Sequence, residues 1–87
     1  MTEPTLREHI ETKLVISGFA VDTALQGAGI LAWPRGMDIN EANFVITEQK
    51  GEFVVLNGTG KFASKKLQKY MNHYLKQWGD EYRMGAR

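Results

Sequence analysis

The sequence has no cysteine and only two histidines. The first absence excludes disulfides and thiolate zinc sites. His9 and His73 fall in separate segments, so no paired imidazoles are expected. Glu8, His9 and Glu11 are close in sequence, but neighbouring helical positions point to different faces and make a poor metal cluster. Neither Ser17 nor Ser64 has the context of an activated nucleophile. No catalytic residue, metal site or cofactor is expected, and the chain does not read as an enzyme. Long apolar runs are missing too: none approaches the roughly 18 residues that a membrane span requires. Met1-Thr2-Glu3-Pro4 lacks the basic and apolar regions of a secretory signal. A cytoplasmic protein without membrane association is therefore expected, in which the Asn57-Gly58-Thr59 sequon is idle. No repeat, low-complexity tract or linker interrupts the chain, and residues 1–87 are expected to form a single domain.

Acidic residues are scarce in one part of the chain only. Residues 1–58 hold four basic residues against eight acids, a net charge of −4, whereas residues 59–87 hold seven basic residues against Asp80 and Glu81, a net charge of +5. A chain polarised in this way has an oriented field. The two parts either neutralise each other in the fold or present a positive surface to a partner.

The basic third contains the strongest pattern. On a wheel of about 100° per residue, Leu67, Tyr70, Met71, Tyr74, Leu75, Trp78 and Tyr82 share one side. Lys65, Lys69, Lys76 and Arg83 lie opposite them. A long amphipathic helix over about residues 61–83 is predicted, with Ser64 as a local cap. The tyrosines are expected in the core with Leu67 and Met71, with Trp78 and Tyr82 nearer to exposure. Base-stacking is the competing role for these rings.

The rest of the chain supplies a sheet. A first helix is predicted over about residues 3–17: Pro4 suits an early helical position, Leu6, Ile10 and Leu14 step at helical spacing, and Gly18 is a suitable stop. Phe19-Ala20-Val21 supports at most a short extended piece, followed by a turn capped by Asp22 and a flexible stretch through Gly29. Strands are predicted over about 29–33, ended by Pro34-Arg35-Gly36, and over about 43–48 and 52–57. The last two form a hairpin in which Lys50-Gly51 supplies a positive φ. The expected fold is α+β in the order α-β-β-β-α, a three-stranded antiparallel sheet packed by an N-terminal and a long C-terminal helix.

Asn57-Gly58-Thr59-Gly60-Lys61 stands between a strand and a helix, the setting of a phosphate-binding loop. The Walker pattern needs glycine where Val55 stands and Ser or Thr where Phe62 stands, so nucleotide hydrolysis is not expected. Gly58, Gly60 and Ser64-Lys65-Lys66-Leu67-Gln68-Lys69 together resemble, in mechanism, the start of the last helix of double-stranded RNA-binding domains. Those domains also run α-β-β-β-α and set lysines at a helix start across phosphates. The sequence departs from that family at Gln68, where a small alanine is usual, and in the bulky Tyr70, Met71 and Tyr74. The likeness implies a shared mode of contact and not membership.

The expected function is a small non-enzymatic binding protein whose basic helix contacts an anionic partner, RNA or DNA, through Lys61, Lys65, Lys66, Lys69, Lys76 and Arg83. An ordinary solvated helix face is the simpler explanation of the same lysines, although such faces usually mix both signs. The alternative is a protein-interaction module, an inhibitor or adaptor or a self-associating chain, that docks through a sheet edge or through Trp33 and Arg35.

Overall fold

Thr5 opens the first helix with a reciprocal cap. The Glu8 amide donates to the Thr5 hydroxyl oxygen (3.1 Å), and the Thr5 amide donates to a Glu8 carboxylate oxygen (2.9 Å). This satisfies two donors that a helix start leaves free. The computed structural model describes residues 5–22 and 29–85. The expected start at Thr2 or Glu3, with Pro4 in the first turn, lies outside them, as does the turn expected after Asp22. Helix α1 spans Leu6–Ile16 and buries Ile10 and Leu14. Gly18, with φ +100°, ends it, and the Gly18 amide donates to the Val15 carbonyl.

The chain then forms a four-stranded antiparallel meander: β1 (Phe19–Asp22), β2 (Ile30–Pro34), β3 (Asn43–Gln49) and β4 (Glu52–Thr59), in that order across the sheet. The fold is a small compact α+β domain, and among the described residues it has two helices and four strands where three strands were expected. The additional strand is Phe19–Asp22, all four residues of which pair with β2. It is an edge strand of four residues, too short for its alternation to stand out in the sequence. Phe19 and Val21 pack on the core and fix its register.

Between β3 and β4 the chain turns on Lys50 (φ 54°) and Gly51 (φ 81°). Two successive positive φ values match the right-handed twist of the strands. Further along, the register shifts at Val45/Ile46: Ile46 faces Val55 and Val45 faces Asn57. Leu56 is thus the extra residue of a β-bulge.

Alternation divides the sheet into two faces. Ile30, Ala32, Phe44, Ile46 and Phe53 are buried beneath the helices with Ile10, Leu14, Leu75 and Trp78. Leu31, Trp33, Val45 and Val54 are half-buried and do not join that core, which places them on the opposite face.

A 3-10 turn (Gly60–Ala63) joins β4 to α2 (Lys65–Gly85), which runs back along β4. Phe62 of this turn drops into the core, with its ring centroid 4.8 Å from that of Phe44 and 6.2 Å from that of Phe19. The predicted helix over 61–83 is therefore a short turn and a helix. The Phe62 anchor fixes where the basic segment begins.

Candidate nucleic-acid interface

The lysines separate into two groups according to their partners. Lys61 sits on the 3-10 turn with its ammonium 5.6 Å from the Phe62 ring centroid, and Lys65, Lys66 and Lys69 occupy the first turns of α2. All four are exposed, and among the described residues none has a carboxylate within ion-pair distance. Lys76 and Arg83 differ. Asp80 stands between them, 3.9 Å from Lys76 and 3.4 Å from Arg83, and Arg83 also donates to the Gly51 carbonyl of the hairpin turn (3.0 Å). The six basic residues expected to act together are thus divided: four at the start of the helix are free of ion pairs, and two near its end share one acid.

Among the described residues the acidic part of the chain does not neutralise the first group by direct pairing. Glu11 pairs with Arg7 within α1, and Lys13 of α1 reaches Glu81 of α2 (3.6 Å). The first turn of α2 contains no acid. Positive charge at the positive end of a helix dipole is unfavourable by roughly 0.3–1 kcal/mol per group. A bound anion would reverse that sign.

Tyr70 and Tyr74 are not in the core as expected: they are 54% and 48% exposed, whereas Trp78 is 9% exposed. The wheel places these two rings about 125° and 85° from the centre of the buried arc of Met71, Leu75, Trp78 and Gly79. Helix α1 has only 11 residues and meets α2 near its far end, where the rings of His9 and Tyr82 lie 5.4 Å apart. The flank of α2 that carries Tyr70 and Tyr74 is covered only in part among the described residues, by the end of α1 and the 3-10 turn. Tyr74 stacks on Trp78, with ring centroids 6.1 Å apart and 28° between planes.

Two hollows flank Tyr70. A cationic one of about 450 Å³ is lined by Lys66, Lys69, Tyr70 and His73. An apolar groove of about 540 Å³ lies between α2 and the α1–β1 junction, with Phe19, Phe62, Met71 and Tyr74 among its walls and Lys61 on its lip. Sequence reasoning reached the lysines but not the groove, which is formed by residues of four different segments.

The remaining candidates have structural partners. The Arg35 guanidinium donates to the Val15 carbonyl (2.7 Å), which also accepts the Gly18 amide at the end of α1. Trp33 pairs across to Ala20 on the open face of the sheet. Gln68, the departure from the double-stranded RNA-binding pattern, donates through its side chain to the Phe62 carbonyl (2.8 Å) and holds the 3-10 turn. The fourth strand removes the α-β-β-β-α order that the likeness implied. Among the described residues no three His, Asp or Glu gather as metal ligands, and no helix is long and apolar enough to cross a membrane. Compared with family models, curated proteins and solved structures, the chain finds no match.

Proposed function

We propose that the chain is a small non-enzymatic binding protein that contacts nucleic-acid backbone through the 3-10 turn and the start of α2. One observation carries this reading: Lys61, Lys65, Lys66 and Lys69 gather at one end of the helix without a paired carboxylate among the described residues, beside two exposed tyrosines. An ordinary solvated helix would pair such lysines with acids three or four positions away, as Lys76 and Arg83 are paired with Asp80. Four phosphate contacts give a salt dependence that lowers affinity roughly 50- to 150-fold between 50 and 200 mM salt. Fluorescence-anisotropy titration of labelled oligonucleotides at those two salt levels tests it. Lys65→Glu combined with Lys69→Glu should abolish binding while leaving the circular dichroism spectrum unchanged, because both side chains are exposed. Binding that is indifferent to salt and to this double variant would reject the reading.

A second reading, a protein-interaction module, draws on the open face of the sheet, where Leu31, Trp33, Val45 and Val54 do not join the core. Its mark would be a mass by light scattering that rises with concentration and falls back in Trp33→Ser.

A further inference from the structure

We infer that the preferred ligand is single-stranded, with its bases in the apolar groove and its phosphates on the lysines to either side. This rests on the nucleic-acid reading above and specifies its substrate class. Three observations lead to it.

The free cationic stretch of α2 is short. From Lys65 to Lys69 the helix rises only about 6 Å. The residues that would have extended the stripe, Lys76 and Arg83, converge on Asp80 instead. Recognition of a duplex by shape draws on backbone contacts spread over successive grooves. Among the described residues no second basic element stands beside this segment to reach a neighbouring groove, so it follows a few phosphates of one strand.

The aromatic rings lie where a duplex cannot use them. Tyr70 and Tyr74 are one helical turn apart on the exposed flank, and Tyr70 forms a wall of both hollows. On one side of its ring the surface is Lys66, Lys69 and His73, and on the other it is the floor of Phe62 and Met71. Lysine side chains thus stand on either side of an exposed tyrosine ring, a pairing of phosphate-binding charge with a stacking surface that an unpaired strand can use. Stacked bases of a duplex keep their faces covered, whereas every unpaired base has a face to offer to tyrosine.

The groove also has a charge that selects its occupant. Lys61, held by the buried Phe62 next to it, lines a shallow groove whose other walls are mostly apolar. With Lys66 and Lys69 on the far side of Tyr70, a ligand lying across the ring meets positive charge at both ends. An apolar peptide would leave those ammonium groups uncompensated, but a polynucleotide segment neutralises them.

The test compares four labelled probes of about 12 nucleotides, a length within the range for small single-strand sites. They are oligo-dT, oligo-U, a DNA duplex, and a strand of the same phosphate count in which abasic spacers replace the nucleosides. At 50 mM salt the wild-type protein should bind oligo-dT or oligo-U more tightly than the duplex, and at least about fivefold more tightly than the abasic strand. The dT and U arms compare a deoxyribose strand with a ribose strand, and an oligo-dU control separates the 2′-hydroxyl from the thymine methyl. Tyr70→Ala and Tyr74→Ala should each weaken oligonucleotide binding by about fivefold or more, with unchanged salt slope because no charge is removed. Equal binding of the abasic strand, or tighter binding of the duplex, overturns the inference while leaving the basic site standing. Failure of all four probes to bind at low salt overturns the inference and removes single strands and duplex DNA as ligands of the basic site. The probe comparison uses unaltered protein, so it decides the matter even if a tyrosine variant folds poorly.

Discussion

At Gly60 two demands meet in one residue. Its φ is +65°, and a Cβ there would overlap the Glu41 carbonyl oxygen. Gly58 has no positive φ, but a Cβ on it would run into the Phe62 carbonyl. Both glycines are therefore explained by the crowded return of the backbone from β4 into the 3-10 turn, without any need for a phosphate to approach them. Gly60→Ala adds a left-handed penalty of about 1–2 kcal/mol to that overlap, and the chain must shift where Phe62 is anchored. The expected outcome is a loss of at least about 2 kcal/mol, seen as a lower urea midpoint with unchanged slope. An unaltered midpoint would show that this approach does not determine the residue. Because Lys61 is the next residue, the variant should also weaken oligonucleotide binding.

Helix α2 is held to β4 by a contact more specific than apolar packing. The Asn72 side-chain oxygen accepts the Val55 amide at 2.7 Å, next to the bulge at Leu56. Asn72→Ala leaves that amide without its acceptor, at a cost of about 1–3 kcal/mol. Hydrogen exchange at the Val55 amide should accelerate by much more than at the amides of β2; equal protection would mean that water replaces Asn72 readily. Nothing in the sequence marks this residue, since an asparagine in an amphipathic helix looks like any other polar position. The hairpin was legible, because Phe44–Thr47 and Phe53–Leu56 are dense in β-branched and aromatic residues on either side of a Lys-Gly turn. The basic helix was legible from its period. Phe19-Ala20-Val21 was legible as an extended piece but not as a strand of the sheet, because four residues beside a glycine do not establish a period of two. The exposure of Tyr70 and Tyr74 was not legible either: a wheel shows which residues share a side, but the width of the buried arc depends on how far α1 reaches. The division of the stripe by Asp80 was visible as an interruption, although its joint hold on Lys76 and Arg83 required the geometry.

For the molecule as a whole, the free positive charge lies at one end of α2, while Glu48 and Glu52 flank the hairpin turn near the other. Such a field orients an approaching polyanion before contact. If α2 binds as proposed, Asp80 limits how much of the helix takes part, and Asp80→Asn should release Lys76 and leave Arg83 held only by the Gly51 carbonyl. Oligonucleotide affinity is expected to rise severalfold, and the salt slope to steepen by about 0.7 for each phosphate gained by a single strand. Stability should change by no more than about 1 kcal/mol, as usual for exposed pairs. If affinity and slope stay the same, the second half of α2 lies outside the interface. The two tryptophans occupy opposite layers of the fold, Trp78 beneath the groove in contact with Tyr74 and Trp33 on the open face of the sheet. On the proposed reading the protein carries its own optical probe: a base against Tyr74 would come close enough to Trp78 to alter its emission, while Trp33 lies on the other face of the sheet. In Trp33→Phe the remaining fluorescence would report occupancy of the groove directly, without a label on either molecule.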